Sequence, residues 1–101
     1  MNAKNNVLVI NAMDSVAVLL EPLRSGDTAV ATIAGQDRQI PVLQDIPIYH
    51  KIAVCDIAKD QEIFKYGKSI GRATSNIHSG EYVHNHNIVS NREAIVQERW
   101  H

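Results

Sequence analysis

The sequence predicts a mostly-β domain of short strands with one short helix at its C-terminal end. Three observations carry that expectation. Runs of branched apolar residues are brief, Gly, Pro, Asn and Asp interrupt them at close intervals, and a helical period shows only in the tail. At 101 residues the chain has the length of one domain, spanning 1–101.

The elements follow in order. "VLVI" (7–10) and "SVAVLL" (15–20) read as strands, the second opened by Asp14 and closed by the Gly turn in "RSGDT" (24–28). "TAVATIA" (28–34) and "RQIPVL" (38–43), separated by "GQD", read as a hairpin. Pro41 donates no ladder hydrogen bond, which places its strand at an edge or bulge. In "DIPIYH" Pro47 fixes the backbone ahead of the strand "HKIAV" (50–54). Gly67 and Gly71 around "KSI" suggest tight bends between very short strands. "SGE" (79–81) is a turn leading into "YVHNHN", read as the last strand. The tail, 91–101, reads as a helix capped by Asn91, with Ala94, Ile95, Arg99 and Trp100 on one side. Ile95 and Trp100 could anchor a partner or fold back on the domain. No internal repeat is evident.

Composition excludes several functions. The 10 basic and 11 acidic residues are scattered, so the concentrated positive field that nucleic acid requires is absent. Apolar runs are too short to cross a membrane, and the N-terminus lacks a secretory pattern. A single cysteine, Cys55, precludes an internal disulfide and fits a reducing, cytoplasmic setting. Its apolar neighbours in "IAVCDI" predict a buried, inert thiol.

The 5 histidines are the compositional excess. On a strand, His84 and His86 share one face with Tyr82 and Ile88, their roots about 7 Å apart, within reach of one ion or ligand. A lone H-x-H pair equally suits two surface histidines, and a metal site requires a third ligand. His50 is the candidate third member, or a residue capping a strand mouth. His78 reads as a turn residue, and His101 ends the chain. In "IFKYG" Lys65 shares a face with Ile63, and there it binds a carboxylate, acts as a base or is simply solvated. Arg72 could pair with an anionic substrate or with a carboxylate of the chain. These pieces do not assemble into a complete active site, which points to completion by another subunit.

The motifs "HKIA", "KYG", "IG-AT" and "VH-HN", in this order between about residues 14 and 87, resemble the SAF-type domain of the altronate and galactarate dehydratase family. The resemblance implies a β-clip fold. It implies a lyase, in which the domain, as N-terminal part or small subunit, works with a large catalytic subunit. Such an enzyme removes water from a sugar acid to give a 2-keto-3-deoxy acid, with a divalent metal, Fe2+ or Mn2+, bound mainly by the large subunit. Related two-subunit enzymes remove sulfite from sulfolactate. On the family's motif positions fall His50, Lys51, Lys65, Tyr66, His84, His86 and Asn87. The expectation is that His84, His86 and Lys65 are catalytic, with His84 and His86 also candidate metal ligands. His50, Lys51, Tyr66, Arg72 and Asn87 are expected to bind substrate. A homo-oligomer is a further expected assembly. Two departures stand out: the family usually has Gly where this chain has Tyr49 and Asp60. The alternative to a lyase subunit is a non-catalytic SAF-type ligand-binding or assembly module, since related domains occur in sialic acid synthases and antifreeze proteins. The scarcity of Thr argues against an ice-binding face.

Overall fold

A computed structural model describes residues 5–90. The predicted tail helix, 91–101, with Ile95, Trp100 and His101, lies outside the described residues. Those residues hold nine strands and no helix: β1 (Val7–Leu8), β2 (Val16–Leu19), β3 (Thr28–Ile33), β4 (Gln36–Pro41), β5 (Lys51–Ala53), β6 (Glu62–Lys65), β7 (Lys68–Ala73), β8 (Tyr82–Val83) and β9 (Ile88–Ser90). The mostly-β expectation is met.

A central antiparallel sheet runs β1-β2-β5-β8. Its middle strands bury both faces, and alternation sends neighbouring residues to opposite sides. Val16 pairs with Ala53 over one core, and Ala17 with Ile52 over the other. The β3–β4 hairpin covers the Ala17 and Ile52 side with Ala29, Ala31 and Ile40. The three-stranded sheet β6-β7-β9 covers the Val16 and Ala53 side with Ile63 and Ala73. Each fully buried Ile or Leu contributes about 1.5–3 kcal/mol. Pro41 ends β4, which pairs only with β3, so the edge assignment holds. Beneath the β6–β7 turn, buried Asp14 accepts the Gly67 N–H at 2.8 Å and the Asn11 N–H at 3.1 Å.

Three local expectations need correction. "YVHNHN" is not one strand: pairing stops at Val83, residues 84–87 turn, and the chain re-enters as β9. Gly71 makes no bend. It sits inside a six-residue strand, where a Cβ would meet the Val89 carbonyl oxygen at 2.1 Å, so the close crossing of β7 and β9 demands glycine. Cys55 is exposed rather than buried. Val54 is the last inward residue of that run; the chain bends at Val54 and Cys55, which leaves Cys55 and Asp56 exposed.

A repeat that the sequence conceals organises the loops. Four turns share one design: 24–27, 47–50, 58–61 and 78–81. Each follows a buried Leu or Ile, and these pair as Leu23 with Ile46 and Ile57 with Ile77. In each, the fourth residue's N–H donates to the first residue's carbonyl: Asp27 to Arg24, His50 to Pro47, Gln61 to Ala58, Glu81 to His78. The third residue always has positive φ: Gly26 (96°), Tyr49 (67°), Asp60 (71°) and Gly80 (95°). Gly normally fills that position. Tyr49 and Asp60 therefore occupy left-handed positions of the kind that glycine fills at Gly26 and Gly80.

Candidate functional site

Three of the four turns are clasped by side chains. Asp27 accepts the Arg24 N–H at 2.8 Å, Gln61 accepts the Ala58 N–H at 2.9 Å, and Glu81 accepts the His78 N–H. The residue before the partner Leu or Ile adds a second clasp. Asp45 holds the Ser25 N–H at 3.0 Å, Asn76 that of Lys59 at 2.9 Å, and Asp56 that of Ser79 at 2.8 Å. The turn 47–50 has neither device. Pro47 has no N–H to clasp, and the position matching Asp45, Asn76 and Asp56 is Pro22. The residue matching Asp27, Gln61 and Glu81 is His50. With no clasp to make, its imidazole turns to Tyr82.

His50 Nδ1 is hydrogen bonded to the Tyr82 hydroxyl. The His50 and His84 rings lie 4.9 Å apart between centroids. Tyr82 stacks on His84 at 5.5 Å with 14° between planes, and meets the His86 ring edge-on at 5.6 Å. The i, i+2 strand spacing is not what gathers these rings. The turn 84–87 does so, and buried Asn87 shapes it. Asn87 Oδ1 accepts the His84 N–H at 2.9 Å, and its Nδ2 donates to the Tyr82 carbonyl at 2.8 Å. Both ends of the Asn87 amide are thus committed to backbone.

Positive charge gathers beside the rings. Lys51, half-buried on β5, has its pKa lowered first by burial and then by the nearby Lys65 ammonium. The His84 pKa is lowered below the ordinary 6.5 by desolvation, then by His50, Lys51 and His86. Lys65 also lies 5.0 Å from the Tyr66 ring centroid. It does not simply share a face with Ile63. The register shifts between Ile63 and Phe64, and Phe64 and Lys65 are both half-buried while Ile63 is fully buried.

The structure therefore brings together His50, Lys51, His84 and His86, with Lys65 adjoining through Lys51 and Tyr66 through Lys65. Arg72 is exposed on β7, opposite Glu62 on one side and Val89 on the other. His78 is exposed in its turn, as predicted. The residue the sequence reading passed over is Tyr82, which touches all three clustered imidazoles. Its place in "YVHNHN" on the side of His84 and His86 was the available signal.

The donor set does not suit a metal ion. Among the described residues, no three or more His, Cys, Asp or Glu side chains are placed to hold one. The imidazoles stand beside a Lys, and His50 Nδ1 is engaged by Tyr82. Cation-rich and open, the cluster suits an anion such as a carboxylate. Cys55 stands apart. Partial enclosure raises its thiol pKa, with Asp56 adding to the shift and Arg38 opposing it, so thiolate is disfavoured.

Fold and site together define an SAF-type β-clip domain that presents a basic cluster rich in imidazoles. The sequence profile of the altronate/galactarate dehydratase SAF domain matches residues 5–91, and the chain belongs to that family. It is 39% identical over 88 residues to the (2R)-sulfolactate sulfo-lyase subunit alpha of Chromohalobacter salexigens, covering 84% of this chain and 94% of that subunit. It is 36% identical over 91 residues to the altronate dehydratase of Escherichia coli, covering 90% of this chain but only 18% of that enzyme. The altronate dehydratase of Bacillus subtilis is 35% identical over 86 residues, 85% of this chain and 16% of the enzyme. The chain thus spans nearly all of the sulfo-lyase subunit and under a fifth of the dehydratases. By name these relatives are a sulfo-lyase subunit and two dehydratases.

Proposed function

We propose that the chain is the small subunit of a sugar-acid hydro-lyase of the altronate/galactarate dehydratase type, completed by a separate large subunit. The observation that supports this reading is the convergence of Lys51 with His50, His84 and His86, adjoined by Lys65, at one open surface. Elimination requires the C2 proton of a 2-hydroxy acid to leave, and the carboxylate beside it must be neutralised for that carbanion to form. Lys51 and Lys65 supply positive charge for that carboxylate. An imidazole with lowered pKa is a free base near neutral pH, so His84 is suited to take the C2 proton. The proton that His84 takes is then passed to the hydroxyl leaving C3, which His86 or His50 hydrogen bonds, so that it departs as water. Loss of H from C2 and OH from C3 releases one water and leaves an enol, which becomes the 2-keto-3-deoxy acid. We assign the divalent ion implied for such enzymes, Fe2+ or Mn2+, to the large subunit, because this chain offers imidazoles beside ammonium groups.

Sulfolactate is the second reading, favoured by the end-to-end match with the sulfo-lyase subunit. The chemistry is parallel, since a C2 proton leaves while sulfite departs from C3. The test mixes the full chain with its large subunit and altronate, galactarate or sulfolactate, and assays 2-keto acid and sulfite. Keto acid without sulfite supports the hydro-lyase, whereas both products from sulfolactate replace it with the second reading. Full turnover by the isolated chain overturns the division between subunits.

A further inference from the structure

We infer that Tyr82 is a positioning residue of this site, one that fixes His50 as the neutral tautomer carrying its proton on Nε2. The inference rests on the lyase reading above for its catalytic consequence, but not for the tautomer itself. A neutral imidazole has one nitrogen that donates and one that accepts, and the partner of one decides the state of the other. A phenol is the better proton donor of this pair and an imidazole nitrogen the better acceptor. The Tyr82 hydroxyl therefore donates to His50 Nδ1, which leaves the proton on Nε2. His50 is then a hydrogen-bond donor at Nε2 and has no free nitrogen lone pair with which to act as a base. The acceptor role is left to His84, whose ring Tyr82 stacks upon at 5.5 Å. One tyrosine thereby separates two neighbouring imidazoles, 4.9 Å apart, into a hydrogen-bond donor and a base.

The backbone reinforces the assignment. His50 sits on the one turn of four that no side chain clasps, so its orientation depends on the contact with Tyr82. Tyr82 is itself held on both sides: its N–H donates to Gln44 Oε1 at 2.9 Å, and its carbonyl accepts from Asn87 Nδ2 at 2.8 Å.

The experiment compares the full chain with Tyr82→Phe, which keeps the ring and its stacking and deletes only the hydroxyl. Nitrogen-15 NMR of the full chain, above the titration of the imidazoles, should show His50 Nδ1 as unprotonated and Nε2 as proton-bearing. In Tyr82→Phe the two tautomers should mix. In the complex with the large subunit, kcat should fall about 10- to 100-fold with KM within about twofold, as expected when an orienting partner is lost. A His50 proton on Nδ1 in the unaltered chain overturns the inference, as does an unchanged tautomer or an unchanged kcat in Tyr82→Phe. If the complex turns over none of the three acids, the lyase reading fails while the NMR result still decides the tautomer.

Discussion

Asn87 Oδ1 accepts the backbone N–H of His84 at 2.9 Å, across the turn that presents two of the clustered histidines. The same amide donates to the Tyr82 carbonyl, so one buried side chain sets the backbone on both sides of Val83 and His84. Asn87→Ala would leave the half-buried His84 N–H and Tyr82 carbonyl without this partner, at about 1–3 kcal/mol. Urea denaturation should show a lower midpoint with an unchanged slope. Activity of the complex should fall as well, because His84 and His86 lose their orientation. An unchanged midpoint would show that the turn holds without this amide.

Tyr49 and Asp60 stand in left-handed backbone that costs an ordinary L residue roughly 1–2 kcal/mol. Glycine removes that cost but adds about 0.5–1 kcal/mol of backbone entropy loss on folding. Tyr49→Gly should therefore stabilise by about 0.5–1 kcal/mol in chemical denaturation. Asp60→Gly should gain less, because Asp tolerates this region better than a ring does. Gly80→Ala should be damaging, since its Cβ would meet the Pro41 carbonyl oxygen at 2.1 Å. Gly26→Ala, with nothing within 4 Å, should lose only the conformational cost, about 1 kcal/mol. Equal losses at Gly26 and Gly80 would contradict the packing described.

These turns also show what the sequence could and could not reveal. Branched apolar runs located β2, β3 and β5, and Pro41 marked an edge. The fourfold turn stayed hidden because two of its left-handed positions carry Tyr49 and Asp60, neither of which signals a turn as Gly does. "YVHNHN" was taken for a strand because alternation was counted and the turn preference of Asn85 and Asn87 was not. Apolar neighbours suggested a buried Cys55, but the strand that carries Ile52 and Ala53 ends at Ala53 and the chain bends at Val54 and Cys55. The histidine pair itself was legible. Its union with His50 and Tyr82 was not, since that depends on the register of β5 and β8, about 30 residues apart in sequence.

The lowered pKa of His84 fixes the sign of a pH effect. The unfolded chain takes up this proton near 6.5, while the folded chain takes it up only at lower pH. Between those points the unfolded state binds more protons, so stability falls as pH drops below about 6.5. Above that value the group contributes no slope. Urea midpoints measured from about pH 8 to about pH 5 should decline more steeply for the unaltered chain than for His84→Asn. Parallel curves would mean that His84 titrates alike in both states.

The placement of the metal yields the most discriminating result. If His84 and His86 were ligands, Mn2+ or Fe2+ would stabilise the isolated chain, by about 2.7 kcal/mol at a hundredfold excess over Kd. An imidazole pair beside Lys51, with no group of three ligating side chains placed for an ion among the described residues, should instead leave its thermal midpoint unmoved by added metal or by EDTA. The double variant His84→Ala, His86→Ala should still fold, because the two side chains are half-buried and exposed respectively. Its complex with the large subunit should lose activity by about 10²-fold or more, the range for a missing acid or base. The metal content of that complex, measured by elemental analysis, should match that of the unaltered one. Loss of metal together with activity would move both histidines from proton transfer to ion coordination, and the base would then have to be sought on the large subunit.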